Sequence, residues 1–170
     1  MNPLRGFPGH PSHPPLTDVT IGAYAFATVA AILSFAGVAE GGFAQGWWLA
    51  LIVGVASSLL TISTGFLDWL QITWRTPLWR TASLHALTMA AASVFFVLAL
   101  AFGHDDYTGR AVQGGSLVLT LIGFVLLTAG GTIGGSITYV HGMRVLNLVE
   151  EPTRRAIVPS THEEKEEASA

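Results

Sequence analysis

The sequence predicts an all-α integral membrane protein, an antiparallel four-helix bundle with both termini on the same side of the membrane. Of its 170 residues, 51% are hydrophobic and only 11% are charged, which is a composition typical of membrane proteins. Four apolar stretches are long enough to cross a hydrocarbon core of about 30 Å, which takes about 20 helical residues. The predicted spans are residues 16–39, 47–70, 82–102 and 116–140.

A proline- and histidine-rich segment, residues 1–15, precedes the first span. Its run Gly9-His10-Pro11-Ser12-His13-Pro14-Pro15 predicts a rigid entry to the helix, because proline fixes its own φ and restricts the residue before it. We therefore expect His10 and His13 to be held in defined directions. A cleaved signal peptide is the alternative for this span, but the apolar run is longer than a signal-peptide core and Arg5 is the only basic residue before it.

The second and fourth spans each carry a distinctive face at helical spacing. On the second span, a polar stripe is predicted to face the bundle interior. Its members are Ser57, Thr61, Thr64 and Asp68. On the fourth, the run Gly130-Gly131-Thr132-Ile133-Gly134-Gly135 holds two overlapping GxxxG pairs. Glycines at this spacing let helix backbones touch, within the bundle or between two copies of the chain.

His85 opens the third span, about one helical turn and roughly 6 Å inside its predicted start. An imidazole at this depth needs a polar partner, because an unsatisfied polar group in the membrane is costly. Two interpretations stay open. His85 is either a ligand to a cofactor or metal, or a histidine that is hydrogen-bonded to Asp68 or to a backbone carbonyl.

Residues 147–170 are rich in charge, and we expect them to form a disordered tail because they are too polar to build a core. No internal repeat is evident, so residues 16–146 are predicted to form one domain. Basic residues concentrate on the side of the two termini, where they include Arg5, Arg75, Arg80 and Arg144, whereas Arg110 alone lies in the opposite loops. The positive-inside rule therefore predicts that both termini are cytoplasmic.

Alternation of the spans brings most of the polar residues to one side of the membrane. They are His10, His13, Asp68, His85 and His141. Two neutral imidazoles from facing helices are the ligands that a low-spin haem iron requires. We predict that His85 and His141 bind one haem b, with Arg80 and Arg144 at the level of its propionates.

The other residues of this cluster are predicted to support the haem or a quinone. They are His10, His13, Asp68 and Trp69, which are placed to hydrogen-bond an imidazole or to take a proton. The function predicted on this basis is the transfer of single electrons between a quinone pool and a redox partner protein.

Two other functions stay open. His85, His141 and His13, together with Asp68, are suitable ligands for a divalent metal such as zinc in a metal-binding or transport protein. Because four helices make a thin wall for a transporter, this alternative requires a homo-oligomer, which the GxxxG face would form. The third is a structural or assembly subunit without a ligand. No nucleic-acid partner is expected.

Four short motifs together resemble a bacterial family of four-helix membrane proteins, domain of unknown function 2231. The motifs are Gly9-His10-Pro11-Ser12-His13-Pro14, then Gly65-Phe66-Leu67-Asp68-Trp69, the single His85, and Gly134-Gly135-Ser136-Ile137-Thr138-Tyr139-Val140-His141-Gly142. The resemblance runs from about Gly9 to Val145. It implies a location in the bacterial plasma membrane.

The family is similar in layout to membrane cytochromes b, and some members are fused to Rieske-type iron–sulfur domains, which implies electron transfer near a haem or quinone. This chain departs from the family pattern at Ser136, where an acidic residue is common, and it lacks an asparagine soon after His85. The first departure weakens a metal or proton-relay scheme that needs that carboxylate. It leaves a two-histidine haem scheme untouched.

Overall fold

A computed structural model of the chain describes residues 3–7, 9–146, 150, 152, 153 and 157. Four long helices are apolar enough to cross a membrane, which agrees with the predicted all-α membrane bundle. They are α1, His13–Phe35; α2, Glu40–Trp69; α3, Pro77–Phe102; and α5, Gly114–Tyr139. A short helix, α4, His104–Gly109, lies between α3 and α5.

The helix starts follow from local sequence. Pro14 and Pro15 occupy the first turn of α1, where a proline lacks only an N–H that would have no helical partner. Thr76 is the N-cap of α3, and its side-chain oxygen accepts a hydrogen bond from the backbone N–H of Trp79 at 3.2 Å, with Pro77 at the first helical position. The first and third spans therefore begin three and five residues earlier than the predicted residues 16 and 82.

The N-terminal segment folds back before α1 begins. A 3-10 helix, Pro3–Arg5, leads into two short antiparallel strands, β1, Gly6–Phe7, and β2, His10–Pro11. The backbone N–H of Ser12 donates to the carbonyl of Arg5 at 3.3 Å. This hairpin holds Arg5 next to the end of α2, which the 3-10 helix contacts.

The bundle consists of two helical hairpins. The first joins α1 to α2, the second joins α3 to α5, and the hairpins meet through α1 against α5 and α2 against α3. Between them lie alanines and a few large side chains that are fully buried: Tyr24, Trp47, Leu51 and Phe96. Large apolar side chains such as Leu87, 70% exposed, point outward, as expected of a surface that lipid covers.

The predicted charged tail, residues 147–170, lies almost entirely outside the described residues. Its disorder stays a prediction, as do the predicted domain limits.

Candidate functional site

Every predicted site residue belongs to a segment at one end of the bundle. We call it the histidine end: the end at which α1 and α3 begin and α2 and α5 finish. His85 lies eight residues inside α3, and His13 is the first residue of α1. The polar stripe of α2 faces the interior as predicted, since Thr61, Thr64 and Asp68 are buried.

The His85 imidazole is half-buried, and a hydrogen bond to the backbone of α5 holds it in place. Its Nδ1 lies 2.8 Å from the carbonyl oxygen of Gly130. A carbonyl only accepts, so Nδ1 carries the proton and the neutral ring has its lone pair on Nε2. The ring rests on Gly134, where an added Cβ would lie 2.9 Å from Cε1 of His85. The fourth-span glycines therefore make room for this imidazole.

The His13 imidazole is likewise held by a hydrogen bond to the backbone of α2. Its Nδ1 lies 3.0 Å from the carbonyl oxygen of Thr61 and 3.4 Å from Oγ1 of Thr64. The ring rests on Gly65, where an added Cβ would lie 2.7 Å from Cε1 of His13. Both histidines thus give Nδ1 to a backbone carbonyl of the neighbouring helix and lie against a glycine of that helix.

Hydrogen bonds between hydroxyl groups connect α1 to α2 deeper in the bundle than His13. Oγ1 of Thr20 donates to Oγ of Ser57 at 3.0 Å and also lies 3.0 Å from Oγ1 of Thr61. Because Thr61 supplies the carbonyl that accepts from His13, this network fixes the helix segment on which the imidazole depends.

Asp68 forms ion pairs with one arginine before α1 and one after α5. Its Oδ1 accepts a hydrogen bond from Nε of Arg5 at 2.8 Å and another from Nη1 of Arg144 at 2.7 Å. The carboxylate is only 11% exposed. Arg144, predicted near a propionate, is therefore paired with Asp68. Arg5 was assigned only a topological role from the sequence, and the one signal for its importance is that no other basic residue precedes the first span.

The other predicted site residues are less buried. His141 follows α5 and is exposed, with Nε2 3.1 Å from Oγ1 of Thr81. Arg80 and His10 are exposed. Trp69 is half-buried, and its Nε1 donates to Oγ of Ser83 at 2.9 Å.

The described part of the chain contains no group of three or more His, Cys, Asp or Glu side chains that converges as a metal-ion site would. Of the two GxxxG pairs on α5, Gly130 and Gly134 face α3, where they meet Met89 and His85. Gly131 has open space beside it, and Gly135 has only Tyr139 of its own helix nearby.

Comparison with known proteins agrees with this architecture. No curated protein and no solved structure matches the chain. One family of predicted membrane proteins, DUF2231, matches residues 9–147. This range begins just before His10, ends just after Arg144 and includes all four long helices. The resemblance seen in the sequence is confirmed: the chain belongs to the DUF2231 family of predicted membrane proteins.

Proposed function

We propose that this protein is a small membrane electron-transfer subunit that binds one b-type haem at the histidine end, with His85 as an axial ligand. The observation that carries the proposal is the state of the His85 ring. Nδ1 is committed to the carbonyl of Gly130, and the lone pair of the neutral imidazole is left on Nε2. A histidine ligand to a metal is commonly held in this way, because a hydrogen bond at the other ring nitrogen fixes its tautomer and orientation.

The number of ligands favours haem over a bare metal ion. A porphyrin supplies four nitrogens, so the protein needs to add only one or two axial groups. A zinc site needs three or four protein ligands. The absence of a three-ligand group among the described residues therefore supports haem more than zinc.

Polar groups around the histidine end support electron exchange at the membrane surface. The half-buried Trp69 and the exposed His10 would be available to a quinone headgroup, and the exposed Arg80 would be available to a propionate. Arg144 would reach a propionate through guanidinium N–H groups other than the one it gives to Asp68. The electron would pass between a quinone and a partner protein that docks on this face.

Location follows from the charge distribution. We propose a bacterial plasma membrane with both termini in the cytoplasm, because the basic residues of the loops lie mainly at the histidine end. The haem would then exchange electrons on the cytoplasmic side. A second copy of the chain would pack through Gly131 and Gly135, where an added Cβ meets no other helix of the described residues within 4 Å.

The test is an optical spectrum. Protein purified in mild detergent from haem-sufficient cells is expected to show a Soret band in the oxidised state and sharp α and β bands after reduction with dithionite. His85→Ala should lose the sharp α and β bands, while His104→Ala, an exposed histidine at the opposite end, should keep them. A folded wild-type protein without these bands would overturn the proposal.

A further inference from the structure

The two hairpins of the bundle repeat one set of contacts around their histidines. His13 on α1 donates to the carbonyl of Thr61 on α2 and rests on Gly65, four residues later. His85 on α3 donates to the carbonyl of Gly130 on α5 and rests on Gly134, again four residues later. Both imidazoles use Nδ1 for this bond, so each neutral ring has its lone pair on Nε2.

The repetition continues deeper in the bundle. Tyr24 lies eleven residues after His13, and Phe96 lies eleven residues after His85. The Tyr24 ring contacts Gly54, seven residues before Thr61, and the Phe96 ring contacts Gly123, seven residues before Gly130. A glycine admits the ring in both hairpins. Two independent contacts at equal spacing are hard to attribute to chance packing.

The two rings also meet each other. Tyr24 and Phe96 stack with their centroids 3.8 Å apart and their planes 5° from parallel. Because α1 and α3 start at the same end of the bundle, the repeated contacts point to a half-turn about an axis along the bundle, and the stacked rings of Tyr24 and Phe96 lie between the two hairpins. Parallel repeats of this kind are one of the ways in which membrane proteins place a ligand site at the interface of the repeats.

Under this relation His13 and His85 are equivalent residues of the two hairpins. His141 has no such counterpart. The residues of α5 that match α2 are 69 positions later, as for Gly134 and Gly65, so the residue that corresponds to His141 is Ile72. His141 is also exposed, and its Nε2 is engaged by Thr81.

We propose that His13, rather than His141, is the second axial ligand, so that His13 and His85 present their Nε2 atoms to one haem iron on the pseudo-two-fold axis. This inference rests on the proposed haem function and names the ligand pair of that site. It requires only groups already held in place, since the bonds to Thr61 and Gly130 orient both rings before any haem binds.

The experiment compares three variants of the whole chain, His13→Gly, His85→Gly and His141→Ala, with His104→Ala, an exposed histidine at the opposite end of the bundle, as the control. Optical spectra and low-temperature electron paramagnetic resonance report the haem content and spin state. We expect both glycine variants to lose the low-spin signal and the other two proteins to keep it.

Added imidazole separates ligation from folding. If His13 is a ligand, free imidazole should occupy the space left in His13→Gly and restore the low-spin spectrum, as in His85→Gly. A His13→Gly protein that stays low-spin without imidazole, or a His141→Ala protein that loses the low-spin signal, would overturn the ligand assignment while leaving the haem function standing. A folded wild-type protein without haem would overturn both.

Discussion

At the scale of single residues, the histidine end depends on pairs formed between distant positions. The sequence indicated that His85 lies inside a span and is either a ligand to a cofactor or metal or a histidine hydrogen-bonded to Asp68 or to a backbone carbonyl. The structure shows the carbonyl, that of Gly130. This could not be predicted from spacing, because the partners are 45 residues apart and only the packing of α3 on α5 brings them together.

Replacing Gly134 by valine is expected to displace the His85 ring. An added Cβ there would lie 2.9 Å from Cε1 of His85, which is closer than van der Waals contact, so the ring or the helix must shift at a cost of about 1–3 kcal/mol. The measurement is thermal unfolding in detergent.

Gly131→Val is the matched control for Gly134→Val, because an added Cβ at Gly131 meets no atom within 4 Å. Equal thermal stability of the two variants would show that Gly134 does not hold the ring in this position.

Asp68→Ala is expected to destabilise the protein. Removal of the carboxylate leaves the guanidinium groups of Arg5 and Arg144 without their partner in a partly buried setting, and their side chains are 27% and 21% exposed. Loss of one member of a fully buried ion pair costs about 3–5 kcal/mol, so we expect about 2 kcal/mol at this partly buried site, or a Tm lower by roughly 5 °C.

The control for Asp68→Ala is Asp105→Ala, because the Asp105 side chain is fully exposed at the opposite end. If both variants melt at the wild-type temperature, the ion pairs of Asp68 with Arg5 and Arg144 do not contribute to stability.

At the scale of helices, the periodicity of the sequence predicted correctly which face of α2 is buried. The stripe on α2 was predicted to face inward from its spacing alone, and its residues are buried or half-buried. The short helix α4 was missed, because its sequence reads as a polar loop. It is held by Asp106, whose Oδ2 accepts from the backbone N–H of Gln113 at 3.0 Å, and a contact of this kind is visible only in three dimensions.

Thr20→Val should weaken the association of α1 with α2. The hydroxyl of Thr20 contacts both Ser57 and Thr61, and hydrogen bonds between membrane helices contribute about 0.6 kcal/mol on average and up to about 1.7. We expect a loss of about 1 kcal/mol in unfolding free energy, measured by titration with a denaturing detergent.

Thr128→Val provides the comparison for Thr20→Val. Thr128 is exposed, and its hydroxyl bonds only the carbonyl of Phe124 on its own helix, so its removal should change the unfolding free energy little. A loss as large as that of Thr20→Val would mean that the hydroxyl link between helices is not the stabilising element.

At the scale of the whole molecule, the bundle is a pair of hairpins with equivalent contacts, although no repeat is evident in the sequence. The equivalent positions have diverged: Thr61 matches Gly130, Tyr24 matches Phe96, and Asp68 matches Ile137. Among the residues whose contacts repeat, only the glycines and the two histidines stay the same. Because so few equivalent residues are identical, the repeat was not visible in the sequence, which predicted His85 and His141 as the haem ligands. The repeated contacts favour His85 and His13 instead.

The orientation of the whole molecule follows from the same charges that were read from the sequence. A reporter enzyme active only outside the cytoplasm should be inactive when fused after residue 146 and active when inserted at Gly109, next to Arg110. Activity at the first position and inactivity at the second would move the histidine end to the outer face.

Haem binding at the histidine end is tested by the haem content of the purified protein, measured by the pyridine haemochrome method on a monodisperse sample. A site on the axis between two hairpins holds one haem per chain, so we expect a ratio near one for the wild type and near zero for the His13→Gly, His85→Gly double variant. A folded, monodisperse wild-type protein with no haem, or a double variant that keeps its haem, would contradict the account.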